Sequence, residues 1–238
     1  MSRTRQTSTL RIASYNVRKT RGLDQRRDPG RIVSVINGLD ADVVALQEAD
    51  RRLGDRPAAL PRRMIEDETD FLVVPVAENA VSLGWHGNAI LVHRSIGFQS
   101  APRIELPGLE PRGAIRVIIE GGVTLVATHL GLIRRYRRRQ LTVIANALAG
   151  ESRAVIAGDF NEWRNDRGLE PLAESFDVLS PGRSFHAARP ITALDRFAHT
   201  RNLAVTDAGV DQSPLARRAS DHLPVWADLT FPVASSEG

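Results

Sequence analysis

The apolar residues of this chain fall mainly into short runs that are typical of buried β-strands. These runs predict strands over residues 10–15, 42–46, 70–76, 89–93, 114–119, 123–128, 153–157, 192–198, 203–208 and 220–231. Apolar residues spaced three and four apart predict helices over residues 29–38 and 132–148, with shorter helices within 50–68 and 168–176. Strands and helices alternate along the chain, which indicates an α/β protein.

Several turn and cap signals mark the ends of these elements. Asp28 followed by Pro29 is a helix start, and Gly38 ends the same helix. Gly121 and Gly122 predict a two-residue turn between two paired strands. The remaining segments, 97–113, 180–192 and 209–219, are expected to be loops.

Length and composition indicate one folded unit. The 238 residues contain no repeat and no linker, so we expect a single domain over 10–232, with flexible ends at 1–9 and 233–238. Cysteine is absent, which excludes disulfides and a thiol nucleophile. No apolar run has the length of a signal peptide or of a membrane span. We therefore expect a soluble, cytoplasmic monomer.

The charge is positive and comes almost entirely from arginine. The net charge is +4, the pI is about 10.4, and Lys19 is the only lysine. Five arginines lie between Arg134 and Arg139, in the first turns of a predicted helix whose dipole favours anions there. The run is either a solvated helix face or a contact surface for an anionic substrate.

Polar side chains follow several predicted strands at the point where each strand ends. Asn16, Glu48, His129 and Asp159 all occupy such positions. Asp159 and Asn161 lie two residues apart, so they can point the same way, as a proton-accepting carboxylate and an amide that holds an oxyanion. An Asx-turn that only ends the strand is the alternative explanation of this pair.

Seven segments together resemble the endonuclease/exonuclease/phosphatase superfamily, which has the deoxyribonuclease I-like fold. They occur in the order of that superfamily and span about residues 10 to 230: Ser14-Tyr15-Asn16-Val17, Leu46-Gln47-Glu48-Ala49, Glu110-Pro111-Arg112-Gly113, Ala127-Thr128-His129-Leu130, Gly158-Asp159-Phe160-Asn161, Leu194-Asp195-Arg196-Phe197 and Ser220-Asp221-His222-Leu223-Pro224-Val225. Within the superfamily the chain is similar to a bacterial group of uncharacterised metal-dependent hydrolases.

The resemblance implies a four-layer α/β sandwich, with two packed, mostly antiparallel sheets flanked by helices. It also implies Mg²⁺- or Mn²⁺-dependent hydrolysis of a phosphoester. Oxygen ligands suit these ions, and the implied ligands are Glu48, Asn16 and Asp221.

The resemblance also implies catalytic roles for six residues. Asp159 would activate the attacking water, Asn161 would hold that water or a phosphate oxygen, and His222, oriented by Asp195, would donate to the phosphoryl group. His129 would be the general acid or a second phosphate donor, and Arg112 would stabilise negative charge. The candidate substrate contacts are Trp85, His86 and Asn88 in a Gly-rich turn and Arg134 and Arg135 in the arginine run. Some members of the family use a tyrosine near residues 84–88, where this chain has Trp85 and His86.

Three functions remain open from the sequence. The first is a nuclease-like phosphodiesterase acting on DNA or RNA, which the arginines favour, although no exposed aromatic pair for base stacking is evident. The second is a phosphoesterase for lipid headgroups or small molecules such as inositol phosphates. The third is a non-catalytic binding module, which would not need a water-activating Asp159.

Overall fold

The fold of the chain is given by a computed structural model, which describes residues 9–164 and 167–231. Of the predicted flexible ends, 1–9 and 233–238, all but Thr9 lie outside the described residues, and Thr9 belongs to the first strand. The strands are β1 Thr9–Asn16, β2 Val43–Gln47, β3 Phe71–Val73, β4 Ala89–His93, β5 Phe98–Ser100, β6 Ile104–Leu106, β7 Arg112–Ile119, β8 Val123–His129, β9 Ala154–Asp159, β10 Phe176–Leu179, β11 Asp195–Thr200, β12 Ala204–Val210 and β13 Val225–Thr230. The helices are α1 Pro29–Gly38, α2 Arg62–Glu68, α3 Arg134–Ala147 and α4 Ala216–Ala219, with 3-10 turns at Arg18–Thr20 and Glu170–Leu172.

The strands form two sheets that pack face to face. The first sheet has the order β12-β13-β1-β2-β4-β3, and the second has the order β10-β11-β9-β8-β7-β5, with β6 paired to the other end of β7. Among the strands that the structure describes, only the β1–β2 and β8–β9 pairs are parallel. One apolar cluster joins the facing sides of both sheets, through residues such as Ile12, Ile90, Leu125 and Phe197.

Helices cover the two outer faces. Ile32 and Ile36 of α1 and Ile65 of α2 pack on the first sheet, and Leu141 and Ile144 of α3 pack on the second. The order of layers is therefore helix, sheet, sheet, helix, and the predicted four-layer α/β sandwich is confirmed. Within the ranges that the structure describes, every helix is too short or too polar to traverse a lipid bilayer.

The N-terminus of α1 is capped as predicted, whereas the N-terminus of α3 is stabilised in another way. The Asp28 carboxylate accepts from the Arg31 N–H at 3.0 Å, which caps α1 as expected. The α3 helix has no side-chain cap, and its buried Arg137 instead binds a carboxylate outside the helix.

Four sequence predictions about local structure were wrong. The predicted loop 97–113 contains β5 and β6, which are too short to show a period-two pattern. The predicted helix over 168–176 is only the turn Glu170–Leu172 followed by the start of β10. The predicted loop 209–219 contains the end of β12 and helix α4. The turn at Gly121 and Gly122 has three residues, because Ile119 pairs with Val123.

Candidate active site

Strand pairing brings the predicted catalytic residues to one edge of the sandwich. In the second sheet, the parallel β8 and β9 place His129 beside Asp159, and the antiparallel β11 places Asp195 on the other side of Asp159. In the first sheet, β1 ends at Asn16, whose side chain reaches across to Asp159. The two sheets thus contribute to a common site, as their strand ends predicted.

Asp159 is the centre of this site, and its carboxylate has four polar neighbours. Asn16 Nδ2 donates to Oδ2 at 3.0 Å, and the Nε2 atoms of His129 and His222 lie 3.4 and 3.7 Å from the same oxygen. The backbone N–H of Asn161 donates to Oδ1 at 2.9 Å. All these side chains except that of Asn161 are buried, and burial raises the pKa of Asp159 above its ordinary value. A buried carboxyl of raised pKa is a stronger base once it is ionised.

His222 lies between two carboxylates. Its Nδ1 is 2.8 Å from Asp195 Oδ2, and its Nε2 faces Asp159. Although burial favours the neutral ring, the charges of Asp195 and Asp159 raise the pKa of His222 to about 10. The ring is therefore an imidazolium at neutral pH, with Asp195 fixing its orientation. The carboxylate within β11 has the partner that its burial requires.

His129 has the opposite protonation behaviour. Burial lowers its pKa well below the ordinary value, and the cations of Arg112 and His222 lower it further. The two histidines on Asp159 thus differ, because one faces two carboxylates and the other lies beside positive charge. At neutral pH His129 is a neutral ring that can donate one hydrogen bond.

The Asp159–Asn161 segment forms the Asx-turn that was the alternative explanation of this pair. The N–H of Asn161 closes an Asx-turn on Asp159, and Asn161 itself has a φ of +52°. Its side-chain Nδ2 donates to the Leu130 carbonyl at 2.8 Å. Just before this turn, Gly158 approaches β8 so closely that an added Cβ would lie 1.9 Å from the Thr128 carbonyl oxygen.

Glu48 and Asp221, the carboxylates implied as metal ligands, both lie among cations. Glu48 adopts a φ of +53° and forms salt bridges with Lys19 and, at 3.6 Å, with Arg52. Asp221 lies 3.1 Å from Arg18 Nε. Carboxylates that already hold cations have the donor chemistry for a divalent metal ion, which would replace an ammonium or guanidinium group.

A second group of ligand atoms could also hold a metal ion. One atom from each of Asp159, Asp195 and His222 lies within 4.8 Å of the other two. However, His222 Nδ1 is hydrogen-bonded to Asp195, and a ring nitrogen that carries a proton cannot ligate a metal ion. A protonated His222 would leave Asp159 and Asp195 as the ligands of this group. Asn16 lies between this group and the group of Glu48 and Asp221. Its Nδ2 donates to Asp159, and its Oδ1 accepts from the N–H of Arg18, whose side chain binds Asp221.

Of the predicted substrate contacts at residues 85–88, two are buried and one lines a cleft. Trp85 packs beneath Gly113 in the core, and Asn88 is buried with its Nδ2 donating to the Gly113 carbonyl at 3.0 Å. The prediction that Trp85 presents its ring to a substrate was wrong, since Gly113 offers the space that the ring fills. His86, in contrast, lines an open cleft next to His129.

The arginines at the start of α3 are also not alike. Arg134 binds Glu162 through two nitrogens, at 2.8 and 3.1 Å, and Arg137 binds the same carboxylate at 2.7 Å. Arg134 was predicted to contact the substrate. In the structure its guanidinium instead binds Glu162, in the segment that follows Asn161. Arg135 is exposed and lies over the Tyr136 ring at 4.7 Å.

Three features of the site were not predicted from the sequence. Ser184 donates to Asp195 Oδ2 at 2.5 Å, and Lys19 binds Glu48. The rings of Trp163 and Phe185 lie 6.1 Å apart, and Phe185 lies 4.9 Å from the ring of His222. Trp163 is 58% exposed. Phe185 is half-buried, so the pair has one exposed ring, and this contact could not be read from the sequence because it joins residues from two separate loops.

The chain belongs to a known family of phosphoesterases. A sequence model of the Endonuclease/Exonuclease/phosphatase family matches residues 13–222, and members of that family are hydrolytic phosphoesterases that generally depend on a divalent metal ion. The uncharacterised protein YbhP of Escherichia coli K12 is 28% identical over 229 residues, which cover 87% of this chain and 88% of YbhP.

Two solved structures share the fold at low sequence identity. A mannosyl-6-phosphatase of Bacteroides thetaiotaomicron has a TM-score of 0.72 at 16% identity and covers 93% of this chain and all of its own. Danio rerio TDP2, solved with a single-strand DNA product, has a TM-score of 0.68 at 16% identity and covers 94% of this chain and all of its own. At this identity the likeness shows the fold alone.

Proposed function

We propose that the protein is a divalent-metal-dependent phosphodiesterase that hydrolyses nucleic acid by attack of water on phosphorus. The observation that carries the proposal is the buried Asp159 carboxylate, which has Asn16, His129 and His222 around one oxygen. A site built in this way can remove a proton from water and donate hydrogen bonds to the phosphoryl oxygens.

Each residue around the phosphorus would have a distinct task. Asp159 orients the attacking water and accepts its proton. The imidazolium of His222, held by Asp195, donates to a phosphoryl oxygen as negative charge builds up in the transition state. The neutral His129 donates a second hydrogen bond to the phosphate or to the leaving oxygen. Asn161, at the other end of the Asx-turn from Asp159, holds the water or a phosphate oxygen.

Arg112 would add positive charge at the same place. Its Nη2 binds Glu110 at 2.8 Å, while its buried Nε has no hydrogen-bond partner among the residues that the structure describes. A buried donor without a partner is costly, and an anion in the adjacent cleft would satisfy it.

The metal ion would bind at Glu48, with Asn16 and Asp221 as further oxygen ligands. When bound, Mg²⁺ or Mn²⁺ supplies positive charge that polarises the phosphoryl group. The chain contributes the carboxylates, and Lys19 and Arg52 balance the charge of Glu48 in its absence.

The aromatic pair supports nucleic acid as the substrate. Trp163 and Phe185 provide apolar ring faces next to His222, and a nucleobase stacked on such a ring contributes about 1–3 kcal/mol. D. rerio TDP2, a neighbour in fold, was solved with a single-strand DNA product, which is in keeping with this proposal.

A phosphoesterase for phospholipid headgroups or small phosphorylated molecules is the second candidate. The narrow cationic cleft beside His129 favours it, because a short anionic ligand would fill such a cleft. The mannosyl-6-phosphatase of B. thetaiotaomicron is a neighbour in fold with a small-molecule activity in its name.

A substrate panel tests the proposal. The wild-type protein would be assayed with Mg²⁺, with Mn²⁺ and with a chelator on single-stranded DNA, plasmid DNA, RNA, bis-p-nitrophenyl phosphate, phospholipids and inositol phosphates. We expect metal-dependent cleavage of nucleic acid and of the synthetic diester, and its loss in Asp159→Asn. Turnover of phosphomonoesters or lipids alone would favour the second candidate, and equal turnover in Asp159→Asn would refute both.

A further inference from the structure

The cleft next to the candidate active site contains more positive charge than the proposed hydrolysis uses. Its volume is about 140 Å³, which is several times the ~15 Å³ that one water needs. The lining residues are Lys19, Glu48, Asp50, Arg51, Arg52, Arg56, His86, Gly87, Glu110, Pro111, Arg112 and His129. Five of these side chains are cationic and three are carboxyl groups, so the cleft can accept a further anion.

The carboxyl groups in the cleft are already committed. Glu48 holds Lys19 and Arg52, and Glu110 holds Arg112. Asp50 accepts the N–H groups of Leu83 and Gly84, at 2.7 and 3.3 Å.

Arg56 is the cation whose partner is unusual. Its Nη1 lies 2.6 Å from His86 Nδ1, and within residues 9–164 and 167–231 no carboxylate oxygen lies within 4.0 Å of its guanidinium. A guanidinium can only donate, so His86 Nδ1 must accept and the ring proton must lie on Nε2. Among the described residues no carboxylate within 4.0 Å neutralises the donors of Arg56 and His86, although Asp50 interacts with the charge of Arg56 at longer range.

The backbone holds this pair in a costly conformation. Arg56 has a φ of +51°, which residues other than glycine adopt rarely, and His86, a residue type that is more common in this region, has a φ of +50°. The Ser82 hydroxyl donates to the Arg56 carbonyl at 2.8 Å, and the Ala49 N–H donates to the Gly87 carbonyl at 2.9 Å. The second bond ties the turn that carries His86 to the strand end that carries Glu48, so the cleft wall and the metal ligand move together.

We propose that Arg56 and His86 form a second phosphate subsite, which binds a phosphate of the substrate other than the one being hydrolysed. The inference rests on the proposed function, because it assigns the substrate class of the same site. The substrate would carry two phosphate groups a few bonds apart, either as neighbouring phosphates of a nucleotide chain or as two phosphates on a small molecule.

The test compares matched substrates that differ in one phosphate. Thymidine 5′-(p-nitrophenyl phosphate) would be assayed with and without a 3′-phosphate, and the p-nitrophenyl phosphodiester of glycerol with and without a distal phosphate. In the wild type we expect the second phosphate to raise kcat/KM about tenfold or more, as a charge-assisted contact would. The nucleoside and glycerol arms distinguish a nucleotide substrate from a small phosphorylated molecule.

Three variants assign the effect to Arg56. Arg56→Gln should lower the ratio between paired substrates about tenfold, while Arg56→Lys should keep most of it because the charge remains. Arg63→Gln is the matched control, since it removes the same charge from an exposed position on α2 outside the cleft, and it should keep the wild-type ratio. Thermal unfolding of each variant checks that the fold is intact.

Equilibrium binding separates this inference from the proposed function. Calorimetry with Mg²⁺ would compare thymidine 3′,5′-bisphosphate with thymidine 5′-monophosphate in the wild type, Arg56→Gln and Arg63→Gln. If no substrate is turned over but the bisphosphate binds more tightly through Arg56, the proposed function fails and the subsite stands. If the wild type shows no preference in either measurement, or Arg56→Gln behaves as Arg63→Gln, the subsite is wrong.

Discussion

Glu162 is the carboxylate that connects helix α3 to the active-site turn, and its substitution by Gln tests how that turn is held. The buried side chain accepts from Arg134 twice, from Arg137 once at 2.7 Å, and from the Arg164 N–H at 3.1 Å. Arg196 Nη2 donates to the Glu162 carbonyl at 2.8 Å, which fixes the backbone of the same residue. Asn161, the neighbour of Glu162, is thereby held in its left-handed conformation.

The expected loss in the free energy of unfolding follows from the positive charges that Glu162→Gln would leave without a partner. Arg137 is buried, and its other contacts are to the carbonyls of Gly131 and Leu132, so the loss of Glu162 leaves a buried cation without a counter-charge. Loss of one partner of a buried ion pair costs about 3–5 kcal/mol. The retained amide oxygen and the partial exposure of Arg134 reduce this, so we expect about 2–3 kcal/mol at pH 7.

The pH dependence provides an independent check on the same carboxylate. Although burial opposes it, hydrogen bonds from Arg134 and Arg137 lower the pKa of Glu162 to about 2, below its unfolded value of about 4.3. A carboxylate with a lowered folded pKa contributes stability above the unfolded pKa, and this stability is lost as pH falls through the folded pKa. The difference between wild type and Glu162→Gln should therefore be full above about pH 5 and shrink between about pH 4.5 and 2.

The assay is urea unfolding at a series of pH values, with Glu170→Gln as the matched control. Glu170 is exposed and faces the exposed Arg138 at 3.6 Å, so its substitution should leave the free energy of unfolding close to the wild-type value. A loss below about 1 kcal/mol in Glu162→Gln, or a loss that does not shrink in acid, would refute the inferred role of this carboxylate.

Three further substitutions test the site. Asp159→Asn should lower kcat about a thousandfold with little change in circular dichroism, since it removes the proton acceptor; turnover within tenfold of wild type would contradict this. Asp195→Asn should lower the pKa of His222, so the alkaline loss of activity should begin at lower pH, as a pH–rate profile and NMR titration would show; an unchanged alkaline limb would argue against the pair. Gly158→Ala should cost about 3 kcal/mol in urea unfolding, because its Cβ would overlap the Thr128 carbonyl; a near-neutral result would mean that β8 and β9 can separate.

The sequence predicted which strand ends carry polar side chains better than it predicted the neighbours of those side chains. The strand ends at Asn16, His129 and Asp159 were read from apolar runs that stop at a polar residue, and pairing places them at one edge. The opposite pKa shifts of the two histidines could not be read in this way, because each depends on which charges lie around a buried ring.

The errors arose where a strand is very short or where a contact joins residues that are far apart in the sequence. Strands β5 and β6 have three residues each, so they are defined by pairing with β7 and not by periodicity. Arg134 was assigned to a substrate because its partner Glu162 lies 28 residues away. Trp85 was assigned to a turn, and only packing against Gly113 on another strand makes it part of the core.

The sequence by itself determined the layered α/β class and the chemistry available at the strand ends, because periodicity and residue type act locally along the chain. Only the tertiary structure decided which charged side chains form ion pairs and which charged side chains of the described residues have no ion-pair partner. Lys19 and Arg52 at Glu48, the hold of Arg134 on Glu162, and Arg56 facing His86 all depend on distances between segments that are remote in sequence. Electrostatic interactions and pKa values follow those distances and the burial of each group, which residue order alone does not give.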